Sequence, residues 1–185
     1  MNVGADAGNH ESSERSVVAV EPTLKMIAQH KTGASCCRAR GAEALPFRDQ
    51  SFDAALGTFT LHHGTDVSAG LQGIRQVAKW QVILLFEPAE SLKFWLGEYF
   101  PECLALPSET GAPRIDDVQS VLEVRRINPV PVPSDSTDGF AGAYRRWPEA
   151  CLDPVVWAGI PSLVLLSPEV AERGPKRLCD DLESG

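Results

Sequence analysis

A doubly wound α/β sheet is the fold class this sequence predicts, and three observations carry it. The runs SVVAVEP (16–22), FDAALGTFTL (52–61) and QVILLFEP (81–88) are short, apolar and rich in β-branched residues, the pattern of parallel strands covered on both faces. Stretches with helical apolar spacing, TLKMIAQH (23–30) and AGLQGIRQVAK (69–79), follow the first two of them. Ahead of all three stands NVGADAGNH (2–10), which reads like the glycine-rich turn of a nucleotide-binding fold.

Each element has a local reason. Met1, Asn2 and Val3 are the only residues left for a first strand, which at about 3.3 Å per residue spans roughly 10 Å, half the usual length. The run at 16–22 closes on Glu21 and Pro22, so a strand must stop there. Thr23 is then placed to cap a helix whose inner face is Leu24, Ile27 and Ala28. Arg48-Asp49-Gln50-Ser51 is a turn before the second apolar run, Phe52 to Leu61, and Leu71, Ile74, Val77 and Ala78 repeat at helical spacing behind it. Residues 81–88 form the next strand. In the second half, 91–106 reads as a helix up to Pro101, 115–133 as a helix passing into an edge strand, and Pro129, Pro131 and Pro133 end any ladder there. From 134 onward, turns alternate with short helical patches. No internal repeat or clean linker divides the chain. One domain over 1–185 is expected, with a cofactor-binding core at 1–100 and a less regular part at 101–185. Right-handed crossovers then place a ligand beyond the carboxyl ends of the strands.

Composition narrows the function. With 185 residues, 43% of them hydrophobic, the chain can bury a real core. A net charge of -8 opposes attraction to phosphate backbones, and no basic run offsets it, so nucleic acid is not the expected partner. No apolar run approaches the roughly 18 residues of a membrane span, and the expected location is the cytoplasm. Cys36, Cys37, Cys103, Cys151 and Cys179 include no CxxC pair, and His10, His30, His62 and His63 show no HExxH or HxxxH spacing, so reduced thiols and no metal site are expected.

Three places carry one ordered pattern: VGADAG (3–8), Glu21 at the end of the next strand, and GAEALPFRDQSFDAALGTFTLHH (41–63). As a set they resemble the class I S-adenosylmethionine-dependent methyltransferases, in particular the branch of small-molecule enzymes with DVGAGTGN, VVAVEPS, GDAEALPFPDxSFDA and LHH. The likeness covers residues 2–100, and VPSDSTDGFAGAYRRWPEA (132–150) is similar to the C-terminal part of one bacterial subgroup. It implies a Rossmann-like fold, S-adenosylmethionine as cofactor, and a small-molecule methyl acceptor. It further implies that Gly4, Ala5, Asp6 and Gly8 border the methionyl part, that Glu21 with Pro22 beside it holds the ribose hydroxyls, that Ala42 and Glu43 line the adenine, and that Leu61 and His62 face the sulfonium. Glycines admit positive φ and close backbone approach, and a carboxylate can accept both ribose hydroxyls. No residue is assigned as general base, because catalysis by in-line displacement is largely alignment.

Against that family, Asn2 stands where an acid is usual, Asp6 replaces the middle glycine, and Gly41 replaces the aspartate that would accept from the adenine amino group. Eight residues, NHESSERS, connect Gly8 to Val17, fewer than the 10–12 a crossover with its helix ordinarily needs. The resemblance also implies an upstream helix over the cofactor and a final antiparallel strand, so both ends of the fold are expected to be truncated. Two readings besides an active methyltransferase stay open: a remnant of that fold acting as a binding or interaction domain, and a dinucleotide-dependent oxidoreductase.

Overall fold

The computed structural model describes residues 1–8, 11–12, 14–30, 36–38, 40–91, 93–133 and 141–184, without the side chains of 36–38. His10 and the turns expected at 134–140 lie outside them. In chain order the strands are β1 (Asn2–Val3), β2 (Val18–Val20), β3 (Cys36–Arg38), β4 (Phe52–Thr58) and β5 (Ala78–Leu84). The helices are α1 (Leu24–Ile27), α2 (Val67–Val77), α3 (Pro88–Ser91), α4 (Pro101–Leu104), α5 (Pro107–Thr110), α6 (Ile115–Val121), α7 (Pro154–Ala158), α8 (Pro161–Val164) and α9 (Pro168–Ser184). The chain groups into two compact units, one of Met1–Glu87 with Pro113–Arg125 and one of Pro88–Ala112 with Arg126–Gly185.

The first unit holds the sheet, in the order β3-β2-β1-β4-β5, with every pairing parallel. The doubly wound α/β reading is therefore right. β1 is central although only two residues long, because it pairs on both sides: Asn2 opposes Ala19 and Leu56, and Val3 opposes Val20 and Gly57. Val3, Ala55, Ile74, Val77 and Ala78 form the buried cluster between the sheet and α2, whose first turn is capped by Asp66 Oδ1 accepting from the Ala69 N–H at 2.9 Å. Gly73 of α2 leaves room for the Ala42 carbonyl, so the short 3-10 turn Ala42–Ala44 lies directly on the helix. A second cluster of Leu61, Leu71, Val118 and Leu122 fixes α6 against α2.

The opposite sheet face is open along β4 and β5, where Ala54, Trp80 and Val82 are exposed on one side of the pleat. Among the described residues of the connection between β1 and β2 there is no helix to cover it. The Arg125 guanidinium lies 4.5 Å from the centre of the Trp80 ring and shields part of that face.

Several boundaries differ from the sequence expectation. The strand expected over 52–61 stops at Thr58, because Phe59 takes a φ of 49° and leaves the ladder, and 61–63 coil into a 3-10 turn. The strand expected over 81–88 begins at Ala78, directly after α2. Thr23 makes no side-chain cap and α1 buries no residue; Leu24 is exposed. Residues 91–106 break into short pieces, and Pro101 opens α4, since a proline is tolerated in the first turn of a helix and not in its interior. Among the described residues no strand follows α6, where Pro129, Pro131 and Pro133 offer no ladder donors.

The second unit is helical, with a core of Leu96, Phe100, Cys103, Cys151, Ile160, Leu163, Val170 and Leu178. Burial pushes the Cys103 and Cys151 thiols up to about 11, so both are protonated and inert at neutral pH. In α9, a methyl group at Gly174 would overlap the ring of the fully buried Phe100. Gly174→Ala, ordinarily stabilising in a helix by roughly 1 kcal/mol, is expected instead to lower stability by about 1–3 kcal/mol through overpacking. Urea denaturation checks this; an unchanged or higher midpoint would show that the helix does not seat on Phe100.

Candidate cofactor site

The turn at 4–8 leaves β1 with three left-handed residues, Gly4 (φ 68°), Asp6 (φ 51°) and Gly8 (φ 81°). The first two N–H groups of the turn, of Gly4 and Ala5, both donate to the Val20 carbonyl at 2.8 and 3.1 Å, which ties the turn to the end of β2. Gly4 meets Thr60 so closely that a Cβ would overlap the threonine Oγ1 and Cβ. Thus the turn, the end of β2 and the residues after β4 converge at the carboxyl end of the sheet, where an open α/β fold takes its ligand.

Glu21 is buried, with 6% of its surface exposed. Its Oε2 accepts from the Asp6 N–H at 3.0 Å and its Oε1 from the Thr23 N–H at 2.9 Å. A carboxylate offers about four lone-pair sites. Two are taken, and they fix the side chain while leaving acceptor capacity. Asp6 donates through its backbone, and its own side chain is exposed. Pro22 is exposed beside Glu21, and Ala5 and Gly8 are buried.

Ala42 and Glu43 form a neighbouring cluster. Glu43 Oε1 accepts from the Thr65 N–H at 2.9 Å, the Thr65 hydroxyl at 3.3 Å and the Asp66 N–H at 3.5 Å. Its carboxyl is held below the ordinary range by its own backbone N–H first and by the Thr65 and Asp66 donors, against an opposing effect of burial. The side chain expected along the adenine is therefore bound to the loop after β4. Leu61 is a core residue, packed with Leu71, Val118 and Leu122. His62 is exposed over much of its surface, its ring 3.9 Å from that of His63, and partial desolvation first and His63 second lower its pKa below the ordinary histidine value.

Three features at this end of the sheet escaped sequence reading. Thr60 fills the space against Gly4. Phe59 holds a left-handed backbone that costs a bulky residue on the order of 1–3 kcal/mol, fastened by its N–H to the Leu84 carbonyl at 2.9 Å and by stacking on Phe86 at 4.3 Å between ring centres. Glu11 Oε1 lies 3.0 Å from His30 Nε2, both side chains nearly inaccessible. Only the apolar character of the run 52–61 hinted at any of these.

An open depression of about 390 Å³ lined by Asp49, Gln50, Gln72, Arg75 and Gln76 sits at the other end of β4, among exposed polar side chains, and is no cofactor crevice. Among the described residues, no cluster of three or more His, Cys, Asp or Glu could hold a metal, and no helix is long and apolar enough to cross a membrane.

A parallel sheet with a glycine turn ending its middle strand and a buried acid ending the adjacent strand defines a Rossmann-like cofactor-binding protein. Residues 3–86 match the family described as a methyltransferase domain, and the chain shares the Rossmann-like fold of solved methyltransferases. Among solved structures it is similar to one from Anabaena variabilis described as a candidate methyltransferase of an antibiotic biosynthesis pathway, at 26% identity and a TM-score of 0.79, covering 98% of this chain and 78% of that one. At the level of fold it is also similar to a candidate histamine N-methyltransferase from Thermotoga maritima (20% identity, TM-score 0.52, 65% of this chain and 61% of that one). The YcgJ protein of Bacillus subtilis is a further fold relative (21% identity, TM-score 0.50, 65% and 57%). No curated protein matches the sequence. The family implies use of S-adenosylmethionine.

The departures from the family pattern have consequences. Asp6 already occupies the left-handed region that a glycine would adopt freely, so Asp6→Gly is expected to raise stability by about 0.5–1 kcal/mol. Gly41→Asp offers no matching gain, because a Cβ there lies 2.6 Å from Glu43 Oε2 and adds a second carboxylate beside the first. The double change Asp6→Gly with Gly41→Asp is thus expected to be no better than Asp6→Gly alone, in thermal melts and in calorimetric titration with S-adenosylhomocysteine. A further gain from Gly41→Asp would show that Glu43 moves aside freely.

Proposed function

We propose that this chain binds S-adenosylmethionine at the carboxyl end of β1 and β2 and transfers its methyl group to a small molecule. The observation that carries the reading is Glu21, a buried carboxylate oriented by two backbone N–H groups and retaining acceptor capacity beside a left-handed glycine turn. In this reading Gly4, Ala5, Asp6 and Gly8 run beside the methionyl part, Glu21 accepts the ribose hydroxyls with Pro22 next to it, Ala42 and Glu43 lie by the adenine, and 61–62 close the sulfonium side through the backbone of Leu61 and the ring of His62. The residues fit the cofactor at Glu21, whose buried carboxylate keeps acceptor capacity at the carboxyl end of the sheet. They also fit at Asn2, whose buried Oδ1 has no partner and stands two residues before Gly4. The bound cofactor supplies an electrophilic methyl on a sulfonium; the chain's own part is to bind and align. No residue is assigned as base.

The net charge of -8 and the likeness to a relative of antibiotic biosynthesis support a small-molecule acceptor rather than nucleic acid, and we place the protein in the cytoplasm. A second reading, a methyltransferase-fold domain that binds partners without catalysis, is favoured by Asp6 in the turn and by Gly41, which leaves the adenine amino group without its usual acceptor. Titration of S-adenosylhomocysteine and of NAD into the protein separates the possibilities. Saturable binding of the first and none of the second is expected. Binding of neither favours the non-catalytic reading, and binding of NAD alone overturns both.

A further inference from the structure

The turn at 4–8 holds left-handed backbone at every second residue, Gly4, Asp6 and Gly8. At its middle the support is Glu21, bonded to the Asp6 N–H. At its far end it is His30. The imidazole is packed so tightly on Gly8 that a Cβ there would stand 2.7 Å from Nε2, 3.0 Å from Cε1 and 3.1 Å from Cδ2. The same Nε2 lies 3.0 Å from Glu11 Oε1, with 6% and 5% of the two side chains exposed. Glu11 in turn belongs to the turn's continuation, its N–H reaching the Gly8 carbonyl at 3.5 Å. His30 is carried by the same segment as Glu21, since its N–H closes the turn after α1 on the Ile27 carbonyl at 3.1 Å. One stretch, 21–30, therefore holds the glycine turn at its middle and at its far end.

A buried ionisable pair is rarely retained for stability alone, because desolvation offsets most of its attraction. Here it has a position that suggests another purpose: the ring lies over Gly8, the last of the turn residues that run beside the methionyl part of the cofactor in the proposed reading. We infer that His30, anchored by Glu11, is a positioning residue that sets the Gly8 end of the turn and thereby the binding of the cofactor's amino-acid moiety, a role separate from that of Glu21 at the ribose. This inference rests on the cofactor site proposed above.

The two ends can be read separately with two probes, S-adenosylhomocysteine, which has the amino-acid part, and 5′-methylthioadenosine, which has the same adenosine and sulfur without it. His30→Ala is expected to weaken S-adenosylhomocysteine about tenfold and to change 5′-methylthioadenosine less than about threefold. His30→Gln, which keeps a donor for Glu11 and much of the bulk over Gly8, is expected to restore most of the loss. Should His30→Ala fail to fold, Glu11→Gln releases the same anchor more gently and is expected to show the same discrimination between the probes at a smaller magnitude. Equal losses for both probes mean that the pair acts on stability only and overturn the inference, as do unchanged affinities in folded variants. If the unaltered protein binds neither probe, the cofactor site itself is wrong and the inference falls with it; normal binding by the unaltered protein with no discrimination in the variants removes His30 alone.

Discussion

Glu21→Ala is expected to weaken binding of S-adenosylhomocysteine by about 1.5–3 kcal/mol, the range for hydrogen bonds to a charged group, or roughly 10- to 150-fold. The same substitution is expected to cost stability, because the carboxylate serves the fold as well as the ligand. Its two oxygens satisfy the Asp6 and Thr23 N–H groups, and donors left without an acceptor in a part-buried site cost about 1–3 kcal/mol. Glu21→Gln separates the two roles. An amide oxygen can still accept from one of these two N–H groups, so part of the stability should return, whereas the charge and one acceptor for the ribose are lost. Calorimetry and a thermal melt on each variant check the pair of effects. A folded Glu21→Ala protein with undiminished affinity would remove Glu21 from the site and leave it a structural clamp of the turn.

The largest loss of stability is expected from Gly4→Ala. Its φ of 68° is a conformation that costs an L-residue about 1–2 kcal/mol, and the new methyl would overlap Thr60 Oγ1 and Cβ, which adds about 1–3 kcal/mol of overpacking. A total of about 2–5 kcal/mol is a large part of the 5–15 kcal/mol that holds an ordinary domain together. Because the overlap includes Thr60 Cβ, Thr60→Ala does not relieve it. Thr60→Gly does, and the double variant Gly4→Ala with Thr60→Gly is expected to lose less than the two single changes added together. Denaturant midpoints with unchanged slopes are the measurement. Additive losses would mean that β1 and the residues after β4 do not approach as closely as described.

Much of the first unit was legible because its signals are local. Apolar β-branched runs marked β2, β4 and β5, helical spacing marked α2, and the left-handed Gly4, Asp6 and Gly8 fall where a glycine-rich turn was read. β3 was not legible, since Cys36–Arg38 is too short and mixed to show a period. α9 was hidden for a different reason. Its interior dipeptide Gly174-Pro175 is a turn signal in a sequence, yet the helix runs through it, with Val170 and Leu178 anchored in the core of the second unit on either side.

The site divides the same way. Residue type and order by themselves determined that a glycine turn, an acid at a strand end and a GAEALPF segment occur in a sequence typical of one family, because these are properties of consecutive residues. Only the tertiary structure decided what each side chain does. Glu43 turns to the Thr65 and Asp66 donors, Leu61 is drawn into the core with Leu71 and Val118, and Thr60 and His30, distant in sequence, close on Gly4 and Gly8. The physical reason is that a side chain's partner depends on which strands lie side by side. The parallel order β3-β2-β1-β4-β5 brings residues 4–8, 21–30 and 60 to the carboxyl end of the sheet, and no local periodicity records that adjacency.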